Sequence, residues 1–192
     1  NFCQTAAMAC GIEAARGEVI VTMDGDLQND PADIPRLVER LEQGGYDIVC
    51  GWRFRRQDRL LSRRIPSMIA NRLIGWLTGV ALHDYGCSLK AYRAEAIKRT
   101  PLYAELHRFI PAMATLTGAS IGELKVNHRP RRFGRTKYTI ARTWRVALDM
   151  VTVSLLIKFA SKPLRIFGAA ALAALAVATA CLVRSWQWYV GP

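Results

Sequence analysis

Asp24 and Asp26 stand one residue apart directly behind the apolar run VIVTM, with Gln28 and Asp30 close after them in VIVTMDGDLQNDP. Two like charges that close repel, so a cation is expected between them. Four chemistries compete for DGDLQND. Asp, Gly and Asn favour a plain surface turn. An EF-hand loop would put Asp24, Asp26 and Gln28 at its first, third and fifth ligand positions, but Asn29 stands where that loop needs Gly and Pro35 where it needs a bidentate Glu. A glycosidase pair needs two carboxyl groups flanking a sugar from opposite sides, which neighbours on one turn do not provide. The fourth is a divalent cation, Mg2+ or Mn2+, which takes one or two carboxylates and completes its shell with water and the oxygens of a substrate diphosphate.

The charge of the rest of the chain bears on that choice. Lys and Arg total 27 against 15 Asp and Glu in 192 residues, a formal charge of +12. The excess concentrates in Arg53–Arg64 and Lys125–Arg145, so the partners expected are anionic: phosphorylated small molecules, an anionic membrane face or nucleic acid. The basic loops lack the interleaved aromatics that stack bases, and the acidic pair would repel a polyanion with no metal between, so nucleic acid is disfavoured. Five cysteines, an odd number with no CxxC spacing, read as reduced thiols of a cytosolic compartment.

The elements that must hold these groups follow from periodicity. Thr5–Arg16 is helical and Ala-rich, and Glu18–Met23 is a strand buried on both faces. Ile34–Gln43 carries helical spacing through Ile34, Leu37, Val38 and Leu41 and stops at Gly44-Gly45. Tyr46–Gly51 is a second buried strand, which makes an α/β unit with strands running the same way. Ligands of such sheets collect at the strands' carboxyl ends, where Asp24, Asp26 and Arg53 all fall. Ser67–Leu77 is a helix, DYGCSLKAY (84–92) a turn feeding a strand and a helix, and Ile121–Val126 a late strand before the basic loop HRPRRFGRTKY.

The tail differs. Ile140, Trp144, Leu148, Val151, Leu155 and Phe159 recur at steps of three or four, which suits an amphipathic helix on a membrane surface or one packed on the domain core. Ile166–Val183 is an uncharged run of 18 residues, near the ~20 that cross a bilayer. Lys158, Lys162 and Arg165 precede it and Trp186, Trp188 and Tyr189 follow, which places its N-terminal side in the cytoplasm.

VTMDGDLQNDP, together with NFCQTAAM, GWR (51–53), RRIPSMIAN (63–71), DYGCSLKAY and RRFGRTKY (131–138), resembles family 2 glycosyltransferases, and within them the polyprenyl-phosphate branch typified by dolichol-phosphate mannose synthase. Cys3 and Thr136 depart from the Gly and Ser usual there. The resemblance implies an α/β, GT-A-like, mostly parallel sheet with flanking helices (1–137), then a juxtamembrane amphipathic segment (138–162) and a transmembrane helix (163–192). It implies inverting transfer of a sugar from a nucleoside-diphosphate sugar to a polyprenyl phosphate at the cytoplasmic face of the inner membrane, and leaves room for a homo-oligomer. Such families carry an upstream strand and an Asp-rich nucleotide-binding motif that residues 1–192 do not show, so the chain reads as an N-terminally truncated fragment, with room for a second span beyond Pro192.

The resemblance also assigns residues. Asp24 and Asp26 would hold Mg2+ or Mn2+, and Gln28 would lie near that cation. Arg53, Arg63, Arg64, Ser67 and Arg132 would bind substrate, and Arg131 and Lys137 would act at the reaction centre. Asp84 would line that centre, placing either the acceptor or a cationic neighbour, unless it is a turn cap. Arg55, Arg56, Arg59, Arg142 and Arg145 read as a solvated or headgroup-binding face, and His107 as structural. A processive polysaccharide synthase of the same fold is the rival enzyme, but RSWQW (184–188) lies after the span and in the wrong order for its Q-x-x-R-W motif.

Overall fold

The computed structural model describes residues 4–54, 65–102, 106–130, 148, 151–153, 155 and 163–191. They form two units, 1–153 and 154–192. The first holds helices α1 (Gln4–Ala14), α2 (Ile34–Gln43), α3 (Ile65–Thr78), α4 (Ala94–Arg99) and α5 (Ile110–Ala114), and strands β1 (Val19–Thr22), β2 (Ile48–Arg53), β3 (Lys90–Arg93) and β4 (Ile121–Val126). The second holds α6 (Pro163–Val190).

The sheet order is β1-β3-β2-β4. β3 runs antiparallel to both of its neighbours, whereas β2 and β4 pair in parallel. β1, β2 and β4 therefore point the same way, as their apolar composition suggests, and the antiparallel β3 wedged between β1 and β2 makes the described sheet mixed. One rung, Thr22–Lys90–Cys50–Glu123, crosses all four strands. Just beyond it, the ends of β1, β2 and β4 and the segment leading into β3 share one edge.

Two faces anchor that edge. On one, Leu37 and Leu41 of α2 are fully buried against Val49, Cys87, Leu89, Ala91 and Val126, each worth about 1.5–3 kcal/mol of apolar burial. Helix α2 forms because Ile34, Leu37, Val38 and Leu41 recur on one side and Pro35 occupies its first turn, where no N–H is missed. It stops where Gly45 takes a φ of 63°. Alternation turns Ile20, Ile48, Cys50 and Tyr92, all buried, to the opposite face. Gly51 lets β2 approach closely: a Cβ there would sit 2.8 Å from the Leu89 carbonyl and 3.0 Å from Cys87 Sγ.

Of the amphipathic stripe, Leu148 and Val151 are helical and exposed while Val153 is buried; Ile140, Trp144 and Phe159 lie outside the described residues. In the second unit, Phe167–Val190 is long and apolar enough to cross a membrane, with a mean hydropathy of 1.9.

Candidate active site

Two aspartates follow β1 because the strand's end is clamped and the chain then turns. Thr22 donates its hydroxyl to the Ser88 carbonyl at 2.9 Å. Ser88 Oγ in turn accepts the Asp24 N–H at 3.3 Å and the Asn29 side-chain amide at 2.9 Å. Asp24 itself is exposed, with the Gln4 amide 3.5 Å from its Oδ1. Half-buried Asp26 accepts the Gln28 N–H on Oδ1 at 3.1 Å, an Asx turn whose middle residue, Leu27, takes a φ of 63°. A left-handed non-glycine residue costs roughly 1–2 kcal/mol, so the packing around it over-determines this turn.

The far end of the loop is stitched to the exit of β4. Asn29 bridges to His128, and the Arg129 N–H donates to the Gln28 carbonyl at 2.8 Å. Arg129 Nη2 lies 2.8 Å from Asp30 Oδ2, and that hydrogen bond, with one from the Ala32 N–H, holds the Asp30 carboxyl below its usual pKa. Buried Asp33 accepts the Asn127 N–H at 2.6 Å and Arg36 Nη1 at 2.7 Å. β1 and β4 lie three strand spacings apart, roughly 14 Å. The chain from Thr22 to Asn29 therefore arches over the amino end of β3 and the carboxyl end of β2 with Asp24 and Asp26 on the arch.

Beneath it lies a saturated cluster. Arg53, on the last position of β2, donates from Nε to Asp84 Oδ2 at 2.6 Å and from Nη2 to Oδ1 at 2.8 Å. Asp84 is only 4% exposed and also accepts the Gly86 N–H. Glu123 accepts the backbone N–H groups of His83 and Asp84 and sits 2.7 Å from His83 Nδ1. The Trp52 ring stacks on His83 at 4.1 Å, and the Lys125 ammonium lies over Trp52 and Phe54. Burial pushes the Cys50 thiol up to about 12 against the pull of nearby Lys90, and Cys87 up to about 11.

Of the residues singled out from sequence, the structure brings Asp24, Asp26 and Gln28 onto one arch and Arg53 against Asp84 at the same sheet edge. Ser67 falls in the first turn of α3. Arg63, Arg64, Arg131, Arg132 and Lys137 lie outside the described residues, as do Arg55, Arg56, Arg59, Arg142 and Arg145. His107 Nδ1 meets Thr5 Oγ1 at 3.0 Å, tying the 106–109 turn to α1 as a structural histidine does. Sequence reading passed over Ser88, Asn29, Asp33, Arg129 and Glu123. A signal existed for the last, a charge inside the apolar strand IGELKV; the others join segments between about 60 and 100 positions apart, which no local pattern reveals.

Asp24 and Asp26 offer hard carboxylate oxygens at a loop open to solvent, and among the described residues no group of three His, Cys, Asp or Glu gathers. That donor set suits a Mg2+ or Mn2+ completed by water and phosphate oxygens rather than one caged by protein alone.

Comparison with known proteins adds the following. The glycosyl transferase family 2 model matches residues 1–100. A dodecaprenyl-phosphate galacturonate synthase of Rhizobium johnstonii is 51% identical over 185 residues, 95% of this chain and 55% of the relative. An undecaprenyl-phosphate 4-deoxy-4-formamido-L-arabinose transferase of Pseudomonas aeruginosa is 43% identical over 152 residues, 79% of this chain and 44% of the relative. The chain thus spans about half the length of these curated relatives. Among solved structures, glucosyl-3-phosphoglycerate synthase from Mycobacterium tuberculosis, in complex with Mn2+, UDP and glucosyl-3-phosphoglycerate, superposes with a TM-score of 0.61 at 16% identity, covering 81% of this chain and 55% of that one. This likeness is one of fold.

Proposed function

The chain belongs to glycosyltransferase family 2, and from that premise we propose that the protein transfers a sugar from a nucleoside-diphosphate sugar to the phosphate of a membrane polyprenol, inverting the anomeric centre in one displacement. The observation that carries this reading is the stitching of the acidic arch to the root of the basic segment through Gln28, Asn29 and Asp30. Arg131 follows Arg129 by two residues in the sequence. A site for two phosphorylated substrates needs this pairing of a cation-binding loop with guanidinium groups. The names of the two polyprenyl-phosphate relatives support the same substrate class.

The residues divide the work by charge. Asp24 and Asp26 would hold Mg2+ or Mn2+, which when bound neutralises the charge developing on the departing diphosphate. Gln28 orients the donor beside them. The acceptor phosphate monoester, with a second pKa near ~6, is mostly dianionic at neutral pH and needs no strong base. What it needs is to be brought against a second polyanion, a task for Arg63, Arg64, Arg131, Arg132 and Lys137. Asp84 fixes the Arg53 guanidinium in one orientation, so Arg53 loses little rotamer freedom on binding. In the division we favour, 1–137 is catalytic, 138–162 lies along the bilayer surface and 163–192 spans it, with the catalytic unit at the cytoplasmic face of the inner membrane.

The test is to incubate membranes holding the full-length protein with a panel of radiolabelled nucleotide sugars, with and without Mn2+. Label should enter a lipid-extractable, acid-labile product only when a divalent cation is present. Label that stays water-soluble, or that enters a polymer, would overturn the reading.

A further inference from the structure

The acidic groups after the carboxylate pair, Asp30 and Asp33, carry charge yet face the protein. Asp33 is 1% exposed and receives the Asn127 N–H and the Arg36 guanidinium. Asp30 grips Arg129 from the side while Gln28 and Arg129 exchange bonds in both directions, carbonyl to N–H at 2.8 Å and side-chain amide to carbonyl at 3.5 Å. Asn29, 6% exposed, completes the join by reaching both Ser88 Oγ and the His128 backbone. Of the three residues leaving β4, Asn127 and Arg129 are thus bonded to the 28–33 segment and His128 between them pairs with Asn29 as an isolated β-bridge, and the basic run 131–137 follows in the sequence.

From this seam we infer that Asp30, Asp33 and Arg129 are positioning residues: they meet no substrate, but set where the root of the basic loop stands relative to the acidic arch, and so how tightly the acceptor phosphate is held. The inference rests on the reading of the site as a polyprenyl-phosphate glycosyltransferase. A β-strand exit has no intrinsic reason to stay beside a loop from the other edge of the sheet, and a displacement of about 1 Å at a reacting centre is enough to cost ~100-fold in rate. Asp33 should matter more than Asp30, since its bond is shorter and buried, whereas Arg129 is half exposed and its ion pair is screened by solvent.

The experiment uses the full-length protein in membranes or detergent with Mn2+ and the donor sugar that the panel identifies. It compares Asp33→Asn, Arg129→Asp and the swapped pair Asp30→Arg/Arg129→Asp, reading amide exchange across 127–133 together with kcat and the KM for polyprenyl phosphate. Asp33→Asn should speed exchange at Asn127 and raise the acceptor KM at least tenfold while the Mn2+ affinity stays within twofold. Arg129→Asp should do the same more weakly, and the swapped pair should recover at least half of that loss. Faster exchange with an unchanged acceptor KM would overturn the proposal and leave the seam purely structural, as would a swapped pair no better than Arg129→Asp alone. A wild-type protein that transfers no sugar would overturn the preceding reading and this inference with it, and is told apart by the wild-type control.

Discussion

The acidic arch and the Arg53–Asp84 cluster lie at the same edge of the sheet and are built oppositely. On the arch, Asp24 is exposed, with the Gln4 amide 3.5 Å from its carboxylate, and the backbone is bent through a left-handed leucine. In the cluster, Asp84 is buried, both of its oxygens are taken by Arg53, and Glu123 is filled by His83 and two N–H groups. In the proposed reading, a carboxylate that trades water for a cation and a diphosphate is kept solvated. A carboxylate that must hold a guanidinium still is desolvated and saturated. Two Asp residues of similar local sequence, DGD and DYG, thus take different work from their surroundings.

That contrast breaks most visibly on the arch. Asp26→Asn should lower sugar transfer on the order of 100–1,000-fold while leaving the unfolding midpoint near that of the wild type. A variant equally impaired in stability would put Asp26 with the cluster instead. Asp84→Ala should show the reverse emphasis, because it strands a guanidinium whose side chain is only 13% exposed. The expected loss is about 3–5 kcal/mol in denaturant unfolding, against which Asp84→Asn, which keeps one acceptor, should lose less. If Asp84→Ala were as stable as the wild type but inactive, Asp84 would belong to the chemistry rather than to the frame. Gly51→Ala probes the packing beneath both regions, where a Cβ would press on the Leu89 carbonyl, and should cost about 1–3 kcal/mol.

The smallest effect concerns the thiols under the cluster. Cys50 and Cys87 are buried, Cys10 and Cys181 exposed. Iodoacetamide at pH 8 should label Cys10 in the native protein and the buried pair only after unfolding, while Cys181, inside the apolar helix Phe167–Val190, should stay shielded as long as that helix sits in lipid. Their raised pKa values also set a pH window. The folded state keeps these protons above the ordinary thiol value of 9.0, so stability is fully present below pH 9 and should fall as pH rises toward about 12. Stability that rises across that interval would contradict the burial.

Particular residues show how far sequence reached. Ile34–Gln43 and Ile121–Val126 are legible to the residue because a 3.6 period and an apolar run each have a single solution. The common direction of β1 and β2 was legible from the strand–helix–strand order. The antiparallel insertion of β3 was not: KAYR says how deeply the strand is buried, not between which partners. The carboxylate pair announced itself by charge repulsion, and Arg53 by its place at the end of a strand. Asp33 was not singled out, because its partner, Asn127, is 94 positions away. The partner of Asp84, Arg53, is a β2 residue, and only the folded sheet brings the two together.

One measurement bears most directly on the division between arch and cluster: Mn2+ binding to the full-length protein, followed by electron paramagnetic resonance during titration with nucleoside diphosphate, in the wild type, in Asp24→Asn/Asp26→Asn and in Asp84→Asn. The expected result is diphosphate-enhanced binding in the wild type, its loss in the arch variant and its retention in Asp84→Asn. Binding that survives removal of both arch carboxylates, or that disappears with Asp84, would contradict it.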